Sequence, residues 1–242
     1  MFSRPEQKGE NGTNERLDFA VLSRRTSRET MSVELILTVV VLTNLRLLGA
    51  SRLGACIRTV GLQGLLLGLL PLATGGRLTT LHVVVLAVGS MVLKGFVFPR
   101  LLFWALREAH VTREVEPFIG YTGSLLIGGF MLGGAVWLGD RLVIGGTTDL
   151  SWVVAVAMFS ILTGLFLIVA RKRAIHQVLG FLVMENGIYI FGIGAIPGIP
   201  LLVELGLLLD IFVAVFVMGI AVYHINREFD HMETDKLDVL RG

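Results

Sequence analysis

Apolar residues along the chain fall into runs of about 20, the length of helix needed to cross roughly 30 Å of hydrocarbon. Seven such runs lie near 33–50, 57–73, 79–105, 117–138, 151–170, 174–196 and 200–225. They predict an all-α fold, a polytopic transmembrane helix bundle of about seven spans, or six if the first two runs form a re-entrant pair. The third run is over-long and interrupted by Pro99, which predicts a kink or an interfacial end carrying Arg100 and Trp104. Four parts follow: a polar segment 1–30, an N-terminal membrane part of about four helices over 31–150, a three-helix part over 151–226, and a tail over 227–242.

Composition agrees with a membrane protein. Of 242 residues, 54% are hydrophobic and 17% charged, with a mean hydropathy of +0.76, too apolar for a water-soluble domain of this length. The single cysteine, Cys56, cannot form an internal disulfide or by itself hold zinc or an iron–sulfur cluster. No cofactor is expected in this chain, and nothing supports nucleic-acid binding.

Charge placement sets the orientation. With seven spans, twelve basic residues (Arg46, Arg52, Arg58, Arg100, Arg107, Arg113, Arg171, Lys172, Arg173, Arg227, Lys236 and Arg241) fall on one side, and Arg77 and Arg141 on the other. The positive-inside rule then makes the C-terminus and the "ARKRAIH" loop cytoplasmic. Residues 1–30 would add six basic residues to the outer side. Two readings stand: a polar tail translocated against the charge rule, or an over-extended start, with translation beginning at Met31. The segment lacks the apolar core of a signal peptide, and its "NGT" sequon is read as chance.

Three charges lie near the middle of a span: Lys94 in the third, Glu185 in the sixth, within "LGFLVMENGIYIFGIG", and Asp210 in the seventh. Glu204 is shallower in the seventh. An ionised side chain at a helix centre costs roughly 2.5–3.5 kcal/mol on insertion scales, so each is expected to face the bundle interior, paired or hydrated. One reading is structural: Lys94 pairs with Glu185 or Asp210 and the pair fixes helix register. The other is functional: two acids against one base leave a surplus carboxyl suited to loading and unloading protons. Glu204 and Asp210 are offset by about 120° around their helix, which favours stations at different depths over a compact metal site.

His82, His176 and His224 sit at span ends and could extend a path, but they read first as interfacial polar residues. "Arg171-Lys172-Arg173" reads as a topogenic loop. The glycine pairs of "IGGFMLGGAVWLG" predict close helix packing. "GAIPGIP" predicts a tight turn that makes the sixth and seventh spans antiparallel neighbours.

"GFLVMENGIYIF", the short Pro-Gly turn, "PLLVELGLLLDIFVAVFVMGIAVYHINREFD" and the closing "DKLDVLRG" together resemble component E of hydrogenase-4, a membrane subunit of formate hydrogenlyase and related energy-converting [NiFe] hydrogenases. The resemblance runs from Met31 to Gly242. It implies that the last three helices are similar to the K subunit of respiratory complex I, whose membrane-embedded glutamates link redox chemistry to proton pumping. Glu185 and Glu204 are the residues that match those stations. Glu185 immediately precedes Asn186 and lies five residues after Gly180, a displacement of about one turn from the K-subunit pattern. Asp210 has no counterpart there.

The resemblance implies a non-catalytic subunit in a bacterial or archaeal cytoplasmic membrane, with Glu185 and Glu204 as proton stations; Lys94 and Asp210 join the expected proton pathway on their depth within the spans. The expected partners are antiporter-like membrane subunits, a soluble hydrogenase arm and the lipid bilayer. The [NiFe] centre and iron–sulfur clusters are expected on those partner subunits. Two alternatives remain at this stage: a proton-coupled secondary transporter and an inert assembly subunit.

Overall fold

The computed structural model describes residues 31–73, 88–108, 119–142, 148–171 and 173–195, and further along 209, 212–215 and 218–219. Among them are six helices long and apolar enough to cross a membrane. We number them α1 (Met31–Gly49), α2 (Leu53–Ala73), α3 (88–108), α4 (Tyr121–Leu142), α5 (Thr148–Ala170) and α6 (Ala174–Ala195). The seventh expected span, 200–225, falls largely outside the described residues, as do both terminal segments. The described residues contain no strand, and the chain is a multi-pass membrane-type helix bundle.

Three-residue connections, 50–52 and 171–173, join α1 to α2 and α5 to α6, too short for anything but antiparallel neighbours. Both connections lie at the same end of the bundle as the end of α3. Arg46, Arg52, Arg58, Arg100, Arg107, Arg171 and Arg173 therefore gather at one end, while Arg141 closes α4 at the other.

Pro99 does not end α3. The helix widens into a π-helical turn at Leu93–Val97, closed by the Phe98 N–H donating to the Leu93 carbonyl, and then continues as α-helix over Phe98–Glu108. Proline lacks an N–H and its ring crowds the carbonyl four residues back. The wider turn just ahead of it takes up that defect. Beyond Pro99 the helix is two-sided: Phe98, Leu102 and Ala105 are buried, whereas Arg100 and Trp104 point outward.

Glycine decides which helices touch. A Cβ on Gly164 of α5 would strike the backbone of Gly180 and Met184, and one on Gly187 of α6 would lie 2.8 Å from the Ala157 carbonyl oxygen. The α5–α6 pair is thus backbone against backbone, the closest approach that small residues permit in lipid. Gly61, Gly64 and Gly68 of α2 let α3 approach as well, meeting the Pro99 ring, the Cβ and backbone of Lys94, and the Met91 side chain in turn. The glycine pairs of α4 follow the expectation in part. Gly128 packs on Leu48 and Gly139 on the Ser151 carbonyl, but Gly129, Gly133 and Gly134 face open space. The reason is position: α4 sits at the edge, touching its neighbours along one line and exposing Leu125, Leu126, Phe130 and Trp137.

The apolar core is in two parts. The cluster at the basic end takes Leu47 and Leu48 of α1, Leu53, Ile57 and Val60 of α2, Phe98 and Leu102 of α3, Leu167 of α5 and Leu179 to Val183 of α6. The cluster at the opposite end takes Leu37 to Val41, Leu67 and Leu70, Val156 to Phe159, and Tyr189 and Ile190. On every shared helix the sequence between the two clusters carries polar residues.

The tight α5–α6 contact generates a checkable contrast. Gly164→Val, which must displace backbone, should lower the unfolding free energy in detergent by at least about 2 kcal/mol. Gly133→Val, with nothing within 4 Å, should leave the thermal midpoint unchanged.

Candidate functional site

Between the apolar clusters lies a buried polar layer contributed by five helices. Asn44 and Thr43 come from α1, Gln63 from α2, Lys94 from the π turn of α3, Ser160 from α5, and Glu185 and Asn186 from α6. Lys94 is 7% exposed and Glu185 3%. The Lys94 Nζ donates to Glu185 Oε1 at 2.7 Å and to Asn186 Oδ1 at 3.3 Å. Of the two partners left open by the sequence, Glu185 is therefore one that Lys94 takes.

Local backbone brings this pair together. A Cβ on Gly64 would lie 2.5 Å from the Lys94 Cβ and 3.1 Å from its carbonyl carbon. The α2 glycine thus lets the Lys94 backbone come inside the bundle, and the π turn sets the direction in which its side chain leaves. Tyr189, one turn along α6 from Glu185, presents its ring 5.5 Å from Nζ, within cation–π range. The second carboxylate oxygen, Glu185 Oε2, is buried and accepts no hydrogen bond among the described residues.

From Asn186 the layer extends sideways through neutral groups. Asn186 Nδ2 donates to Gln63 Oε1 at 3.3 Å. Gln63 Nε2 donates to Asn44 Oδ1 at 2.8 Å and to Thr43 Oγ1 at 3.3 Å. Asn44 Nδ2 donates to Ser160 Oγ at 2.8 Å, and the Ser160 hydroxyl donates to the Val156 carbonyl at 2.8 Å. None of these side chains carries charge, so a search for charges inside apolar runs passes over them. The available signal was an amide in such a run, as in "GLQGLLLG" and "VVVLTNLRLL".

Other sequence-derived candidates fall elsewhere. Glu204, Asp210, His82 and His224 lie outside the described residues. His176 is not an exposed residue at the membrane surface: it is 2% exposed, buried in the first turn of α6, about 13 Å along the helix axis from Glu185. Arg171 sits at the basic end, as its place in the "ARKRAIH" loop predicts, but it is buried there. It is 1% exposed, donates from Nη2 to the Leu48 carbonyl at 2.9 Å, and stacks 4.7 Å from the Tyr121 ring centre. The physical reason is that the last turn of α1 has carbonyls without helical partners, and a guanidinium both satisfies one and neutralises that helix end. Among the described residues no three His, Cys, Asp or Glu side chains gather as metal ligands.

The chemistry available to the layer is that of a desolvated acid–base pair in which one proton can be shared or exchanged, oriented by amides. Removing one member leaves an uncompensated buried charge. Lys94→Met or Glu185→Met alone should therefore destabilise the bundle by about 3–5 kcal/mol, while the double variant should recover most of that loss. Unfolding of the four proteins in detergent measures the coupling; additive losses would mean that the pair does not form.

The chain is 33% identical over 193 residues to the uncharacterized protein Rv0085 of Mycobacterium tuberculosis, a match covering 78% of this chain and 86% of that one. It is also 33% identical over 95 residues to hydrogenase-4 component E of Escherichia coli K12, covering 39% of this chain and 44% of that protein. Component E of Shigella flexneri matches to the same extent. The similarity to component E thus spans less than half of either chain, a shorter reach than the residues 31–242 expected from the motifs. No family model matches, and no solved structure does. Identity sustained over most of both chains places this protein in the family of the mycobacterial protein Rv0085.

Proposed function

We propose that this protein is a non-catalytic integral-membrane subunit of a membrane-bound [NiFe] hydrogenase complex, and that its polar layer handles protons during coupled turnover. The observation that carries this reading is the Lys94–Glu185 pair, held between two apolar clusters with Glu185 Oε2 left without a partner among the described residues. Support for the hydrogenase setting comes from the partial similarity to hydrogenase-4 component E. Intramembrane ionisable residues are costly, face the bundle interior and mark ion paths and proton relays.

In this mechanism a redox step in partner subunits shifts the electrostatic balance at the pair. Lys94 passes a proton to Glu185 or takes one back, and Glu204 and Asp210 on the next span continue the path. Moving one elementary charge across the membrane requires about 2.3 kcal/mol per 100 mV, which the redox reaction supplies. The [NiFe] centre and iron–sulfur clusters belong to the soluble arm, and antiporter-like subunits are the membrane partners. The basic end of the bundle faces the cytoplasm by the positive-inside rule, which puts the C-terminus there in a cytoplasmic membrane.

A second reading has an observation in its favour: the 2.7 Å ion pair is closed, as a purely structural key between α3 and α6 would be. Glu185→Gln separates the two. On the proposed function, the variant assembles with its partners, still evolves hydrogen from an artificial electron donor, and loses at least tenfold in proton translocation by membrane vesicles. Full translocation by the variant, or recovery of translocation in a variant neutralising both Lys94 and Glu185, would leave only the structural key.

A further inference from the structure

The hydrogen bonds of the polar layer run in one direction, and the direction is forced. An ammonium group has three donors and no acceptor, so Asn186 must turn its oxygen to Lys94 and its NH2 away. Gln63 must then offer its oxygen to Asn186 and its NH2 to Asn44. Asn44 must in turn offer its oxygen to Gln63 and its NH2 to Ser160. Ser160, accepting from Asn44, sends its own hydrogen to the Val156 carbonyl. Each amide has two orientations of nearly equal shape, and the charge on Lys94 selects one of them all the way to α5.

We propose that Asn186, Gln63, Asn44 and Ser160 are positioning residues: they form a polarised chain that aims Lys94 at Glu185 and conveys the charge state of Lys94 across the bundle without conducting a proton. Conduction through a side-chain amide would require protonating its oxygen and stripping its nitrogen, leaving an unstable imidic tautomer. The chain also ends on a backbone carbonyl, which has no proton to pass on. Alignment is a different matter, because successive hydrogen bonds in a low-dielectric interior polarise one another. Proton exchange is left to the Glu185 carboxylate, whose Oε2 stands outside the chain. Neutralising Lys94 removes the donor-only end, and the amides are then free to reverse. The relevance of this to proton handling rests on the function proposed above, but the chain itself is tested without any turnover.

The test is solid-state NMR of the full chain in lipid bilayers, labelled with 15N at lysine Nζ. The protein has four lysines, Lys8, Lys94, Lys172 and Lys236, and the Lys94 signal is assigned by its loss in Lys94→Met. Gln63→Leu should shift or split the Lys94 resonance and leave the other three in place. Ser160→Ala, which removes one hydroxyl three hydrogen bonds from Asn186, should move it in the same sense by less. Thr59→Val, a buried hydroxyl on α2 that donates to Ala55 and takes no part in the chain, should not move it. If Gln63→Leu does not fold, the contrast between Ser160→Ala and Thr59→Val decides. An unmoved Lys94 resonance in the folded chain variants, or an equal shift in Thr59→Val, overturns the proposal. A shifted Lys94 resonance in these variants alongside full proton translocation by Glu185→Gln would retain the chain and reject the proposed function.

Discussion

An ionised amine in the middle of a bilayer has to be neutralised by something at its own depth, and the arrangement of this bundle follows from meeting that demand for Lys94. Isolated in hydrocarbon, such a charge opposes insertion by roughly 2.5–3.5 kcal/mol; beside Glu185 the two charges form a neutral pair. To reach Glu185, the Lys94 backbone has to pass inside the bundle, which the bare Cα of Gly64 permits. The pair then fixes the height of α3 against α6. The amides that satisfy the remaining polar atoms fix α1, α2 and α5 at the same height.

Polar residues confined to one level leave the rest of each helix free to be apolar. That is why the core divides into two clusters separated by the layer. Among the described residues the clusters flank the charged pair on both sides along the helix axes. Rigidity comes from the α5–α6 contact, where Gly164, Gly180 and Gly187 place backbone on backbone. Glu185 and Ser160 are thus carried on two helices in direct backbone contact. By contrast, α4 presents Leu126, Phe130 and Trp137 outward, as a helix does whose solvent is lipid or a neighbouring subunit.

At the basic end a second buried cation has a different purpose. Arg171 satisfies the carbonyl of Leu48 and stacks on Tyr121, joining the end of α1 to the connection between α5 and α6. It lies at the membrane-surface end and is matched to a helix terminus, not to a carboxylate. A cation at that depth needs only the partial negative charge of a helix C-terminus, whereas Lys94, deeper in the bundle, is matched by a full anion.

By itself the sequence determined the helical class, five of the described spans (α1, α2, α4, α5 and α6) to within a few residues, the basic end, and the two charges at the heart of the site. Each of these depends on a local property: twenty apolar residues cross a bilayer whatever surrounds them, and a charge inside such a run is conspicuous. Tertiary structure decided the rest. It chose Glu185 as a partner for Lys94, carried α3 through Pro99 on a π turn, buried Arg171 and His176, and turned three glycines of α4 away from their neighbours. Above all it assembled Asn44, Gln63, Ser160 and Asn186 into one layer. Neutral amides and hydroxyls impose little penalty on their own helix and leave a weak mark in its sequence. Their meaning arises when five helices separated by up to 142 residues (Asn44 to Asn186) pack at one height, and the donor-only ammonium of Lys94 dictates which way each amide must face.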